Sequence, residues 1–376
     1  MKKIKFATLA TTVAALTVSC SGGGSSEGST AGFESKSATT VTSTVGVTDD
    51  TGTSVGTFAI PAGTNKLALT ATTDGIISTD YVTTDSGATL LAYDGEFVTL
   101  STFYDLFVTA VNLPSRDFDA PLSGSNISMQ TSVINTFGAG AAGVPGKTIS
   151  YSMLAKSDPD LNSGTLQVNV AFVGGTASDP AVRAAMVQAE EIFRNIYGAQ
   201  AGIAVSISES EFGGPAVIPD PGTGDALFGA ISSALPAPAV NVCVGYDLTT
   251  SGLLGMSGGI PGAPLPTVKS CVGVSAINSA GADGVFSAED VRVLGETLAH
   301  EIGHYVGLFH PVEGDFASFD PLTDTPQCSG EANCNAALGT NNMYYSPILA
   351  GDGTLLAQGS FTPQQRGVMN RYAAVD

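Results

Sequence analysis

All three histidines of the 376-residue chain fall in one short stretch, His300-Glu301-Ile302-Gly303-His304-Tyr305-Val306-Gly307-Leu308-Phe309-His310. On a helix, residues four apart share a face, so His300 and His304 can aim ring nitrogens at a single ion. Gly307 lets the chain leave the helix through a left-handed turn, which costs glycine little, and swing His310 round as a third ligand. Three neutral imidazoles suit zinc and leave a fourth position for water, the pattern of a catalytic and not a structural site. Glu301, on the flank of the same face, can take that water's proton. The short pattern His-Glu-x-x-His arises by chance in many chains, and a helical histidine is more often structural than a ligand. Here every histidine occupies a motif position, which also leaves no spare base for a serine or cysteine nucleophile. The chemistry expected is hydrolysis with zinc as cofactor.

The element that must position these residues is a helix from about Ser287 to Gly307, opened by a capping-box-like Ser287 and Asp290. At about 100° per residue, Val291, Leu294, Leu298, Ile302 and Tyr305 form one apolar stripe, with His300 and His304 pointing away from it toward a cleft. Upstream, a strand (TLQVNVAFV) leads into a helix starting at Ser178-Asp179-Pro180, with Ser178 or Asp179 as N-cap and Gly198 as stop. A further strand (GIAVSIS) and two more strand-like runs, VNVCVGYDL and SCVGVSAIN, follow before the histidine helix. Strand, helix, strand marks an α/β (α+β) domain over residues 164–376. Residues 39–163 are rich in Thr, Val, Ser and Gly in short alternating runs, including one near 53–60, KLALTAT and EFVTL, and read as an all-β sandwich or jelly-roll module. That module holds no histidine and no cysteine, so nothing in it carries this chemistry.

Composition, at 43% hydrophobic and 13% charged, is that of a folded chain long enough for two domains. Acidic residues number 34 against 14 basic, a balance that repels phosphate backbones and anionic membranes, so nucleic acid is not an expected partner. Protein or peptide substrates, particularly basic ones, and divalent cations fit better; oligomeric state cannot be read. Residues 1–19 have the layout of an export signal: a lysine-bearing start, then an apolar run too short to span comfortably. LTVSC resembles the bacterial lipobox, which makes Cys20 an expected lipidation site, followed over residues 20–38 by a Ser/Gly-rich tether. The expected location is a bacterial outer membrane or cell surface, with membrane contact only through the lipid anchor, or else the secreted fraction. Four cysteines remain, Cys243, Cys271, Cys328 and Cys334, an even number consistent with two disulfides in an exported chain. Three pairings are possible; loop closure favours the local ones, Cys243 with Cys271 and Cys328 with Cys334. A cysteine zinc cluster is the alternative, though no C-x-x-C occurs.

The stretch His300 to His310, followed by Asn342-Met343-Tyr344-Tyr345, resembles the metzincin zinc endopeptidases, whose histidine helix is followed by a methionine-bearing turn beneath the metal. More narrowly it is similar to the pappalysin family, a likeness that extends to LLGMSGGIPGAP, LTDTPQC and FTPQQRGVM and covers about residues 164–376. The resemblance implies a cleft between a sheet-bearing upper half and an irregular lower half, with Met343 as the turn methionine. It implies that Tyr345 stabilises the tetrahedral oxyanion and that Leu254 to Ile260 form a rim strand pairing with extended substrate. It also sets Asp315, Asp320 and Asp324 where such enzymes hold calcium, the alternative being a solvated acidic loop. Pro311 and Tyr344 depart from the family pattern, which tends to have threonine and aspartate there, and residues 346–360 look like an insertion. A reading from another class is a surface binding module or adhesin that retains zinc without hydrolytic activity.

Overall fold

In residues 39–163, runs such as Thr53–Ala59 alternate buried and exposed side chains, the period of a half-buried strand. The computed structural model describes residues 38–93, 104–117, 119–138, 140–280, 283–351 and 353–376. The expected leader, Cys20, nearly all of the tether and the run EFVTL lie outside them. Strands β1 (Ala38–Val47), β2 (Thr53–Ala59), β3 (Lys66–Thr84), β4 (Thr89–Ala92), β5 (Tyr104–Leu113), β6 (Asn126–Ile134) and β7 (Thr148–Ser157) form one antiparallel sheet. Its order is β1-β7-β3-β6-β2, with β4 and β5 also on β3. The first part of β3, to Thr72, pairs with β7; after an irregularity it pairs from Ile76 with β6. The expected all-β module is present, and its strands belong to one sheet in which the long β3 pairs with β7 in its first part and β6 in its second. Leu67, Leu69, Ile77, Val82, Ile127, Met129 and Tyr151 belong to the module's core.

The second module is built on a five-stranded sheet of order β13-β14-β11-β8-β9. In chain order its elements are β8 (Gly164–Val173), α1 (Pro180–Ile196), β9 (Ile203–Phe212), β10 (Val217–Ile218), α2 (Ala226–Ala234), β11 (Val240–Gly245), β12 (Asp247–Leu248), β13 (Gly255–Ser257) and β14 (Val272–Ser275). Helices α3 (Ala276–Ser279), α4 (Ala288–Tyr305), α5 (Glu331–Leu338) and α6 (Pro363–Arg371) complete it. Strands β9, β8, β11 and β14 run parallel and β13 antiparallel at the edge. Leu166, Val168, Val170 and Phe172 share a core with α1 and α4, while Ala171, Val173 and Cys243 share another with Phe228 and Ile231 of α2. This strand period with helix cores on both faces is that of an α/β sheet.

Several boundaries differ from the sequence reading. Helix α1 is capped by Asp179, whose side chain accepts the Ala181 and Val182 N–H groups. It does not stop at Gly198; a π turn over Tyr197–Ala201 extends it to Gly202, the residue that takes the left-handed conformation. The run SCVGVSAIN is strand only to Ser275, whose hydroxyl then accepts the Asn278 N–H and opens α3. Both local disulfides are present, Cys243–Cys271 tying β11 to β14 and Cys328–Cys334 anchoring the loop before α5.

Candidate metal centre

Helix α4 begins with a reciprocal cap: the Ser287 hydroxyl accepts the Asp290 N–H, and the Asp290 carboxylate accepts the Ser287 N–H. The whole expected stripe, Val291, Leu294, Leu298, Ile302 and Tyr305, lies in the core shared with the sheet. At the other end the Leu308 N–H reaches back to Gly303 O and the Gly307 N–H to His304 O, with Gly307 at φ 111°. That reversal carries His310 back onto the helix face.

His310 Nε2 comes to 3.2 Å from His300 Nε2 and 3.1 Å from His304 Nε2. Each imidazole's other nitrogen is held: His300 Nδ1 lies 2.6 Å from Asn342 O and His304 Nδ1 2.7 Å from Leu308 O. His310 Nδ1 lies 2.9 Å from a Glu313 carboxylate oxygen. Carbonyl and carboxylate oxygens only accept, so every Nδ1 carries the proton and every Nε2 turns a lone pair inward. Three lone pairs converging at such distances repel one another unless a cation lies among them. Zinc with Zn–N bonds of about 2.0–2.1 Å in tetrahedral geometry would separate such nitrogens by roughly 3.3 Å, so the residues fit zinc. Burial, helped by His310, pulls His300 down to about 3, and burial with both neighbours takes His304 well below its ordinary value; both rings are neutral, as ligands must be. Among the described residues this is the one cluster of three or more histidine, cysteine or acidic side chains arranged to hold a metal.

The turn Asn341-Asn342-Met343-Tyr344 closes under the site. Asn341 accepts the Met343 N–H on its side chain and the Tyr344 N–H on its carbonyl. This turn aims Asn342 O at His300 and leaves Met343 fully buried. A Cβ at position 303 would overlap the Met343 sulfur, so glycine is what lets the turn sit against the helix. Glu301 is 8% exposed, and burial pushes its carboxyl up to about 8 against the opposing Ser257 N–H. Together with His300 and Tyr345 it borders a cleft of about 400 Å³ that Gly252–Gly255 also line, with Gly255 packed directly against Glu301. Tyr345 packs edge-on to Phe316, with ring centroids 5.8 Å apart.

The structure does not gather the three aspartates into one site. Asp315 accepts the Ala317 and Ser318 N–H groups, and Asp320 accepts the Thr325 hydroxyl and the Leu322 N–H. Asp324 accepts the Thr362 hydroxyl and the Gln364 N–H at the start of α6. Turn and cap bonds engage all three carboxylates, leaving Asp320 Oδ2 buried without a partner, and among the described residues the three aspartates form no shared cluster of metal-holding side chains. Residues the sequence reading passed over are Glu313, Asn342 and Leu308, which orient the three rings. Of these only Glu313 had a side-chain signal, an acid three places after His310.

No helix of the described residues is long and apolar enough to cross a membrane. No protein-family model matches the chain. No curated protein matches it either. Among solved structures, a variant of a family 29 carbohydrate-binding module shares 14% identity over 32% of this chain and 66% of its own length, with a TM-score of 0.14. A second variant, complexed with cellulohexaose, shares 13% over 34% of this chain and 86% of its own, with a TM-score of 0.15. Likeness at that level carries no argument about fold or ligand.

Proposed function

We propose that the chain is a zinc-dependent endopeptidase of the metzincin type, pappalysin-like in pattern, that hydrolyses peptide bonds in extracellular proteins. The observation that carries this reading is the convergence of three Nε2 lone pairs, with every Nδ1 proton committed elsewhere, next to a buried Glu301 at the mouth of a cleft. Bound there, zinc supplies Lewis-acid activation of a water and of the substrate carbonyl. Glu301 takes the proton from the attacking water and passes it to the leaving nitrogen; a dication nearby favours its ionised form. The Tyr345 hydroxyl donates to the oxyanion that develops on the carbonyl. By the alternation of an antiparallel pair, Gly255 of edge strand β13 turns its main-chain groups away from β14, which suits addition of an extended peptide, while the Ser257 N–H on the same edge faces Glu301.

Glu301→Gln keeps shape and ligands but removes the proton acceptor, so casein hydrolysis should fall by about 10²-fold or more with zinc content unchanged. Tyr345→Phe should lose less, since one oxyanion donor goes while the metal still polarises the carbonyl. Activity equal to wild type in both variants defeats the assignment. A wild type that holds zinc and cleaves nothing hands the site to the binding-module reading. Attachment to a bacterial surface through Cys20 belongs to the same proposal; Cys20→Ser should shift the protein from the detergent to the aqueous phase, and equal partitioning rejects the anchor.

A further inference from the structure

We infer that the cleft beside the metal centre receives an uncharged, apolar substrate side chain, and that Arg292 sets this preference by occupying Glu296. The inference rests on the peptidase reading and names its substrate class. In a chain with 34 acidic residues against 14 basic, a basic side chain would be the simple expectation for any pocket. Among the described residues, and apart from the buried Glu301, the cleft has one acid in its lining, Glu296, one turn of α4 before His300. Arg292, a turn earlier again, places Nη1 at 2.9 and 2.8 Å from the two Glu296 carboxylate oxygens. Both oxygens are thus already served by a cation that belongs to the protein.

The same guanidinium shapes the pocket wall. Its Nη2 donates to Leu355 O at 2.9 Å, while the Leu355 N–H donates to Glu289 at 2.8 Å. Glu289 and Arg292 lie three residues apart on one helix face, so together they hold Leu355 and Leu356 against α4. Both leucines line the cleft, with Pro347, Val293 and Tyr345. A lysine or arginine entering this space would find Glu296 already paired and, as the other acid among the described lining residues, Glu301, which the peptidase reading commits to the attacking water. An apolar side chain buries its surface against Val293, Leu355, Leu356 and the Tyr345 ring.

Two randomised peptide pools, one with leucine and one with lysine fixed at a central position, test this in two ways. Cleavage by the zinc-loaded protein is read by mass spectrometry; retention is read on immobilised, zinc-loaded Glu301→Gln. The expected result is a preference for leucine over lysine next to the cut, and in retention, of roughly tenfold or more. Arg292→Met should erase most of that preference by freeing Glu296. The double variant Arg292→Met with Glu296→Gln should restore it, which separates a freed carboxylate from a loosened wall. Cleavage next to lysine by the wild type, or an Arg292→Met profile identical to wild type, overturns the inference while leaving the peptidase reading intact. Leucine-selective retention without any cleavage supports the inference and defeats the peptidase reading.

Discussion

His310 is the clustered imidazole whose orientation depends on a side chain. Main-chain carbonyls hold His300 and His304, and no substitution at Asn342 or Leu308 removes those oxygens. Glu313, nearly half exposed, holds His310 alone. Glu313→Ala should therefore weaken zinc binding by about tenfold in competition with a chelator, the scale of losing one outer-shell partner. Wild-type affinity in the variant would show that His310 is oriented by other means. The clustering of the three imidazoles was legible in the sequence because residue type and spacing together define it. Asn342 O was not, since a carbonyl has no residue signature and reaches His300 only after the chain has folded 42 positions back on itself. That the three aspartates sit apart was hidden for a related reason: an acid that caps a turn is written with the same letter as one in a shared cluster.

At the scale of elements, α4 was readable end to end, because its cap, stripe and terminal glycine all point to the same boundaries. Ser287→Ala should cost about 1 kcal/mol in a denaturation titration, the usual value of such a cap. Helix α6 carried an equally clear signal, Thr362-Pro363-Gln364-Gln365, which the structure shows as a capping box. The π extension of α1 was invisible, since glycine at position 198 is tolerated where Tyr197 and Ala201 are buried on both sides of it. Helix α1 also holds a pH-dependent element. Burial first, then Glu209, pushes the Glu190 carboxyl from its ordinary 4.5 up to about 7. The folded chain then holds that proton more tightly than the unfolded one, so the stabilisation is complete below about pH 4.5 and lost as pH rises through about 7. Glu190→Gln should raise the unfolding temperature relative to wild type progressively across that window; a pH-independent difference would reject Glu190 as the group responsible.

At the scale of the molecule, the two modules are joined through buried charge. Lys66 of β3 is fully buried, 2.5 Å from Asp158, and donates to Val375 O at 2.6 Å; Lys156 of β7 pairs with Asp376. Asn112 of β5 donates to Arg371 O and accepts the Ala373 N–H, each at 2.9 Å. The segment after α6 is thus bonded to three strands of the first module. Lys66→Met would leave the Asp158 carboxylate buried without its cation and should cost about 3–5 kcal/mol in chemical denaturation; a loss under about 1 kcal/mol would mean solvent reaches the pair. What is local was written in the sequence: the spacing that brings three imidazoles together beside Glu301, the helix that presents them, the strand and helix alternation, and the disulfide partners favoured by short loops. These follow from spacing within a few turns of chain, where geometry is set by the backbone period. The tertiary structure alone decided which carbonyls orient the histidines, that the strands of the first module belong to one sheet, and that Arg292 pairs with Glu296 of the cleft. Those depend on contacts between distant segments, or on which of several neighbours a charged side chain meets once packing has closed around it.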